Sequence, residues 1–229
     1  MAETTLRPRT GWRRAGRYAV RAALAWVGVF VVVNVFLLLT GVAARLAGKD
    51  PRLHDDSWPG IPNLRQVDDR LLVGGQPSDE DYRALAAKGI TLVIDLRPGT
   101  DTGPRADDEE HLAGLGMRYA AVPVIDGRAP TPSQTRRFLE VVRSNNGLVF
   151  AHCGGGVGRA SSIAASYLAA NGENPSVLEQ VATGPPTIEQ IWYVAALAPN
   201  HPEHGTNPVV ATISRAVDMP RTIFNGVTG

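Results

Sequence analysis

The sequence predicts an α/β domain with a parallel-rich central sheet covered by helices on both faces, preceded by one N-terminal transmembrane helix. Two observations predict this architecture. Past residue 63, apolar runs of strand length alternate with segments of helical pattern, as in chains that build a parallel sheet. Before that point, the 23 residues of segment 22–44 carry no charge, which suits a helix that crosses a bilayer.

The apolar segment 22–44 has only Asn34 and Thr40 as clearly polar members. A cleaved signal peptide is the alternative interpretation, with Val42 and Ala44 as the small residues of a cleavage site. The apolar core of a signal peptide is only about 7–15 residues long, so the length of this segment favours an uncleaved anchor.

Basic residues predict the orientation of this anchor. Three follow the segment, at Arg45, Lys49 and Arg52, whereas six precede it: Arg7, Arg9, Arg13, Arg14, Arg17 and Arg21. The positive-inside bias places residues 1–21 in the cytoplasm and the rest of the chain across the membrane. We therefore expect a single-pass protein of the cell membrane whose folded domain is extracytoplasmic.

Composition divides the remainder of the chain. Residues 45–62 are rich in Pro, Gly and charge and are expected to form a linker, followed by the folded domain over 63–200. Residues 201–229 form a C-terminal extension with a predicted helix over Val209–Val217. From residue 61 onward the chain has 14 basic and 18 acidic residues. An acidic domain without a basic stripe argues against a nucleic-acid partner.

Short apolar runs predict the strands of the sheet, which are Leu71–Val73, Leu92–Leu96, Ala121–Ile125 and Leu148–His152. Capping residues predict where the intervening helices begin. Ser78 with Asp81 starts a helix that runs to Lys88, and Thr131 with Gln134 starts another. A third helix follows Arg159 and ends at Asn171-Gly172.

The loop between the last predicted strand and that third helix holds the chain's only cysteine, in His152-Cys-Gly-Gly-Gly-Val-Gly-Arg159. Helix N-terminal N–H groups favour an anion in such a loop, and the same field favours a thiolate over a thiol. Four glycines allow the loop to curl with its amides inward, and Arg159 offers a planar fork for two phosphate oxygens. Simple core packing, or metal ligation without other thiols, is the alternative role for a lone cysteine.

This loop resembles the HCxxGxxR signature of cysteine-dependent protein tyrosine and dual-specificity phosphatases. Residues 63–77, NLRQVDDRLLVGGQP, resemble the opening "N-x-R-x-V, then x-G-Q-P" of bacterial, plant and fungal atypical dual-specificity phosphatases. Residues 93–97, VIDLR, resemble their next strand. The resemblance covers about residues 63–195, and it implies the protein tyrosine phosphatase-like form of the predicted fold.

The resemblance also implies roles for the loop residues. Cys153 is the nucleophile that takes the phosphoryl group, and Arg159 binds the phosphate and stabilises the transition state. His152 orders the loop, and no metal or other cofactor is needed. The residues whose amides cradle the phosphate oxygens are Gly154, Gly155, Gly156, Val157, Gly158 and Arg159.

Two further residues are assigned by their place in the chain. Asp126 follows a predicted strand, precedes a capped helix and matches the acid-bearing loop of the family, so it is the expected general acid. An ordinary turn aspartate is the alternative, with Asp95 and Asp101 as fallback acids. Gln190 lies in a segment that resembles the family's water-orienting glutamine loop, but Thr187 and Gln190 equally form a capping box.

One residue departs from the family pattern. Ser or Thr normally follows the loop arginine and hydrogen-bonds to the cysteine sulfur, whereas this chain has Ala160. We therefore expect slow breakdown of the thiophosphate. Ser161 comes next, but on a helix it points about 100° away.

The sequence thus predicts a membrane-anchored phosphatase that hydrolyses phosphomonoesters of the phosphotyrosine or dual-specificity type. Its expected partners are a phosphorylated protein or a small phosphoester, and the membrane through residues 22–44. An inositol-phosphate or phosphoinositide phosphatase is one alternative, disfavoured because no Lys or Arg lies between Gly154 and Gly158. A pseudophosphatase that binds phosphorylated ligands without turnover is the other.

Overall fold

The computed structural model describes residues 10–99 and 106–228, with side chains over residues 15–99 and 109–220. The helices in these ranges are α1 Thr10–Leu46, α2 Asp79–Ala87, α3 Ala106–Gly114, α4 Pro132–Arg143, α5 Arg159–Ala170, α6 Val177–Ala182, α7 Ile188–Ala196 and α8 Pro208–Thr228. The strands are β1 Arg65–Gln66, β2 Leu71–Gly74, β3 Ile90–Asp95, β4 Arg118–Ala121 and β5 Leu148–His152.

The sheet has the strand order β1-β2-β5-β3-β4. Strands β2, β5, β3 and β4 are parallel, and the short β1 is antiparallel to β2. In the register of this sheet, Gly74 and Asp95 lie beside His152 at the end of β5. The carboxyl ends of three strands therefore meet at one edge, immediately before the cysteine loop.

Apolar side chains alternate between the two faces of the sheet. Leu92 and Ile94 pack in one cluster with Phe138 of α4 and Ile163 of α5. Val93 lies in a second cluster, which includes side chains of α2 and α3. Burying a large apolar side chain stabilises a fold by about 1.5–3 kcal/mol, so both faces require a helical cover. The predicted α/β sheet with helices on both faces is confirmed.

The predicted strand Ala121–Ile125 is wrong in position, because β4 is Arg118–Ala121. Val122 and Val124 are buried and donate hydrogen bonds to Asp95 and Leu96, so this stretch still runs beside the end of β3. Pro123 lacks an N–H and cannot donate to the ladder. The apolar pattern therefore identified the buried continuation rather than the half-exposed edge strand itself.

The predicted caps of α2 and α4 are confirmed. Ser78 and Asp81 form a reciprocal capping box at α2. Thr131 and Gln134 form another at α4. Each box satisfies two N–H groups that the first helical turn leaves without partners, which fixes where the helix begins.

The apolar segment 22–44 lies within α1, a helix of 37 residues. Its part from Ala15 to Leu46 is long enough to cross a membrane, and the most apolar 18 residues of that part have a mean hydropathy of 2.6, although a signal sequence has the same features. One side of α1 packs on the domain, where it contacts α6 and α8. Arg45 Nε donates to the Ala182 carbonyl at 2.6 Å, which joins the end of α1 to the end of α6.

The domain boundaries expected at 63 and 200 stay predictions. Residues 49–62 contain no helix or strand, and Ile61 is buried among core residues that Trp58 also contacts. The predicted C-terminal helix over 209–217 is present as part of the longer α8.

Candidate active site

The cysteine loop connects β5 to α5. Cys153 directly follows the strand, and Arg159 is the first residue of the helix. Both side chains are nearly buried, with 3% and 5% of their surface exposed. The loop therefore faces the N–H groups of the first turn of α5, as the sequence predicts, and this end of a helix favours a bound anion.

A cavity of about 270 Å³ opens beside the loop. Its lining contains four predicted site residues from three separate segments, namely Asp126, Cys153, Arg159 and Gln190. Of the predicted phosphate-cradling residues, Gly155, Val157 and Gly158 also line it. The other lining residues are Pro185 and Pro186. The fold thus brings the predicted nucleophile, phosphate ligand and acid to one place.

Asp126 and Arg159 form an ion pair across this cavity. Asp126 Oδ1 lies 3.2 Å from Arg159 Nη2, and the side chain of Asp126 is half exposed. The backbone carbonyl of Val124 accepts a second, longer hydrogen bond from Arg159, at 3.4 Å. A phosphate held by the guanidinium would therefore lie beside the Asp126 carboxyl group, where a leaving oxygen needs a proton.

Asp95 does not line the cavity. It is fully buried and accepts hydrogen bonds from Arg97 at both carboxylate oxygens. Burial alone would raise its pKa, but the hydrogen bonds of Arg97 and the charge of His152 outweigh burial and lower the pKa. Asp95 therefore holds the end of the sheet, and the fallback acid Asp101 lies outside the described residues.

His152 is fully buried next to the nucleophile. Its ring stacks on Phe150 with 5.8 Å between the centroids, and its Nε2 lies 3.4 Å from the Tyr82 hydroxyl. Burial is the main reason that the pKa of His152 is lowered to about 4, although the charge of Asp95 opposes the shift. The imidazole is therefore neutral at physiological pH and can order the loop without adding a charge.

The lowered pKa of His152 predicts how stability changes with pH. Its ordinary value is 6.5, so between pH 6.5 and pH 4 the unfolded chain binds a proton that the folded chain does not. The free energy of unfolding should therefore fall as pH falls through this window, by up to ~1.4 kcal/mol per pH unit. Denaturant unfolding at about pH 7 and about pH 5 measures the slope. His152→Gln should flatten it, and an identical slope in both proteins would contradict the assignment.

Gln190 caps a helix and also lies in the lining of the cavity. Thr187 and Gln190 form a capping box at the start of α7, so that interpretation is confirmed. The Gln190 side chain also donates to the Arg128 carbonyl at 3.1 Å and lines the cavity. A side-chain carbon at Gly158 would overlap the Gln190 amide, so a larger residue there would displace that amide. The water-orienting role of Gln190 stays a prediction.

Sequence reasoning assigned no role to two residues that contact the loop from its far side. Asn63 Nδ2 donates to the Gly155 carbonyl at 2.8 Å, and Arg65 Nη1 donates to the Gly156 carbonyl at 3.0 Å. Both belong to the segment 63–77 whose pattern resembles atypical dual-specificity phosphatases. That pattern was the only signal available, because about 90 residues separate each donor from its acceptor.

The described residues contain no cluster of three or more His, Cys, Asp or Glu side chains that could hold a metal ion. The polar groups around the cavity are a thiol, a guanidinium, a carboxyl group, an amide and the loop backbone. This set suits an oxyanion.

A comparison with protein families agrees with the site. The family model described as "DSP-PTPase phosphatase fused to NAD+ Kinase" matches residues 60–198, which is more than half of the chain. The chain belongs to this DSP-PTPase family. This membership supports a phosphatase and agrees with the observed fold.

Individual relatives match the phosphatase over shorter stretches. The "Beta-lactamase hydrolase-like protein" of Agrobacterium fabrum is 37% identical over 94 residues, which are 40% of this chain and 22% of that protein. The human dual specificity protein phosphatase 2 is 29% identical over 102 residues, or 43% of this chain and 30% of that protein. The phosphatase thus spans about a fifth to a third of the length of these relatives.

Among solved structures, the phosphatase resembles the core catalytic domain of the PP-IP phosphatase SIW14 from S. cerevisiae. The TM-score is 0.51 and the identity 15%, over 61% of this chain and 88% of that chain. At this identity the likeness shows a shared fold.

Ala160 is fully buried in the same apolar cluster as Cys153. The next two hydroxyl groups are bound elsewhere, since Ser161 Oγ accepts from Arg65 at 2.8 Å and Ser162 Oγ donates to the Gly158 carbonyl at 3.0 Å. Neither contact places a hydroxyl at the cysteine sulfur. The missing hydroxyl at position 160 is therefore not replaced by these two neighbours.

The phosphatase should consequently show a burst of the first product before a slower steady rate, because a thiolate without a hydroxyl donor is a poorer leaving group. Rapid-quench measurement with an aryl phosphate should give a burst equal to the number of active sites. Ala160→Ser should raise the steady rate about 3–30-fold and shrink the burst. A parent without a burst, together with an unchanged rate in Ala160→Ser, would contradict this prediction.

Proposed function

We propose that this phosphatase hydrolyses phosphomonoesters through a cysteinyl-phosphate intermediate. The observation that carries the proposal is the meeting of Cys153, Arg159 and Asp126 in one cavity at the N-terminus of α5. A buried thiol, a fixed cation and a half-exposed carboxyl group are the nucleophile, the anion ligand and the proton donor that such a reaction requires.

In the first step, the Cys153 thiolate attacks phosphorus and forms an S–P bond. The P–O bond to the leaving alcohol breaks, and Asp126 donates its proton to the leaving oxygen. Arg159 and the loop amides hold the three remaining phosphate oxygens while charge moves onto them.

In the second step, water attacks the phosphorus of the intermediate. The S–P bond breaks, the thiolate is regenerated, and inorganic phosphate leaves. Asp126, now a carboxylate, accepts the proton of the water. The Gln190 amide lies in the lining of the same cavity and is the group available to orient that water.

The cavity favours a substrate with a single phosphate. Among the described residues that line it, Arg159 alone is cationic, and Pro185 and Pro186 provide an apolar wall. A polyanion would need several cations to offset its charge, whereas a phosphorylated side chain or a small aryl phosphoester needs one. We infer phosphotyrosine or dual-specificity activity in preference to action on inositol phosphates, although SIW14, which shares the fold, is named a PP-IP phosphatase.

Substrate competition tests this preference. The kcat/KM for a phosphotyrosine peptide should exceed that for an inositol polyphosphate by at least about tenfold, the ratio that one unmatched charge can produce. The reverse order would favour the inositol-phosphate alternative. Binding of both ligands without hydrolysis of either would identify a pseudophosphatase.

Helix α1 supports a membrane location for this activity. One side packs on the domain, whereas four large apolar residues within segment 22–44 are each more than 60% exposed: Leu24, Val32, Phe36 and Leu39. A continuous apolar surface of this length is unfavourable in water and is typical of a helix in lipid. We propose an uncleaved single-pass anchor with the phosphatase domain on the extracytoplasmic side.

A pair of fusions tests this topology. A reporter that is active only in the cytoplasm should be silent when fused after Gly229 and active when fused before Met1, because arginines are concentrated before the apolar segment. Immunoblotting of both fusions checks that each protein is present at its full length. An active C-terminal reporter would contradict the orientation, and a shortened C-terminal product would favour a cleaved signal peptide.

A further inference from the structure

The outer side of the cysteine loop is bound by one N-terminal segment of the chain. The Gly154 carbonyl accepts a hydrogen bond from the backbone N–H of Gln76 at 2.8 Å. The next two carbonyls are bound by side chains, Gly155 by Asn63 and Gly156 by Arg65. Three consecutive loop carbonyls therefore point towards residues 63–76.

These contacts determine where the loop amides point. In a trans peptide the C=O of one residue and the N–H of the next lie on opposite sides of the chain. The structure has no cis peptide among its described residues. When Arg65 holds the Gly156 carbonyl, it therefore turns the N–H of Val157 away from itself, and Val157 lines the catalytic cavity whereas Arg65 does not.

Arg65 links three parts of the fold. Its guanidinium donates to the Asn63 carbonyl at 3.1 Å, to the Gly156 carbonyl at 3.0 Å and to Ser161 Oγ at 2.8 Å. Ser161 lies in the first turn of α5. One side chain of β1 thus fixes both the loop and the start of the helix that follows it.

Arg65 is also a buried positive charge, with only 5% of its surface exposed. All three of its hydrogen-bond acceptors are neutral. Burial lowers its pKa to about 10, while the charges of Cys153 and Glu179 act in the opposite direction. The guanidinium therefore stays protonated at neutral pH, and it lies outside the lining of the cavity.

Asn63 has a backbone suited to its contact. Its φ is 53°, in the left-handed region that few residues other than glycine and asparagine adopt easily. This conformation directs the amide side chain to a carbonyl that is 92 residues away in sequence. Glycine tolerates the same backbone, so Asn63→Gly removes the hydrogen bond without adding strain.

We propose that Arg65 and Asn63 are positioning residues of the phosphate-binding loop, which hold the Gly156 and Gly155 carbonyls outward so that the loop amides remain arranged for an anion. They do not touch the substrate. This inference rests on the proposed phosphatase activity, because it assigns the loop a phosphate to bind.

Inhibition by inorganic phosphate tests the proposal in the full-length chain, purified in detergent, with an aryl phosphate as substrate. Arg65→Met should raise the phosphate inhibition constant about tenfold, the expected effect of a lost hydrogen bond to a buried group. Asn63→Gly should raise it about threefold, because its hydrogen bond to the loop is exposed. Arg65→Lys keeps the charge and one donor nitrogen, so its loss of phosphate affinity should be smaller than that of Arg65→Met. Gln66→Met, on the adjacent exposed residue of β1, is the matched control and should match the parent.

The thermal midpoint separates positioning from general stability. In the expected result, Asn63→Gly keeps the thermal midpoint of the parent while phosphate affinity and kcat/KM fall. Asn63→Gly alone decides the outcome if Arg65→Met does not fold. The proposal would be overturned if Asn63→Gly bound phosphate as tightly as the parent, or if Gln66→Met lost as much phosphate affinity as Asn63→Gly. Either result would leave the proposed phosphatase activity standing. A parent that neither hydrolyses the substrate nor binds phosphate would overturn the proposed function first.

Discussion

Cys153→Ser should lower kcat for an aryl phosphate by at least about 10⁴-fold, because a serine hydroxyl is a far weaker nucleophile than a cysteine sulfur. Serine is nearly the same size as cysteine, and Cys153 is 3% exposed, so the loop should keep its shape. Steady-state assays of the parent and the variant measure the loss.

Phosphate binding provides the control for this variant. Arg159 and the loop amides remain in Cys153→Ser, so stabilisation of the folded protein by inorganic phosphate should persist in thermal unfolding. Loss of turnover with retained phosphate binding assigns the chemistry to the thiol. Turnover within about tenfold of the parent would show that another residue attacks the phosphorus.

Asp126→Asn should affect substrates according to their leaving groups. An alkyl or phenyl phosphate needs a proton on its leaving oxygen, so its hydrolysis should slow by about 10²–10⁴-fold. A nitrophenyl phosphate leaves as a stable anion and should slow far less. The ratio of the two kcat/KM values, parent against variant, measures the proton transfer.

The ion pair between Asp126 and Arg159, with 3.2 Å between its atoms, adds a second expectation. Removing the carboxylate frees the guanidinium for an anion, so inorganic phosphate should bind Asp126→Asn at least as tightly as it binds the parent. Asp69→Asn, at an exposed residue, is the matched control for charge loss. Equal slowing of both leaving groups would move the acid role to another residue, with Asp101 the first to examine.

Much of the fold could be predicted because its signals are local. The capping boxes at Ser78 and Thr131 need only four consecutive residues, and the strand Leu148–His152 is a continuous apolar run. Cys153 and Arg159 could be assigned for the same reason, since one short loop contains both. The prediction for Asp126 depended on the order of elements along the chain, because a strand before it and a capped helix after it indicate a loop at the sheet edge.

The features that the sequence did not reveal depend on long-range contacts. Arg65 is separated from its acceptor Gly156 by 91 positions, and its place in the N-x-R-x-V pattern does not show that it is buried against the loop. The predicted position of β4 was wrong because it followed the apolar residues Val122 and Val124, which are more buried than the strand itself. The apolar pattern of α1 indicates a membrane helix and gives no sign that Arg45 binds the end of α6.

Trapping of the phosphorylated enzyme tests the central claim most directly. The parent is mixed with an aryl phosphate, quenched in acid during the burst and digested, and the peptides are analysed by mass spectrometry. A cysteinyl-phosphate intermediate predicts one phosphoryl group on the peptide that contains Cys153, in an amount close to that of the enzyme because Ala160 slows its breakdown. Sustained turnover with the phosphoryl group on a different residue, or with none on Cys153 at any time of quenching, would contradict it.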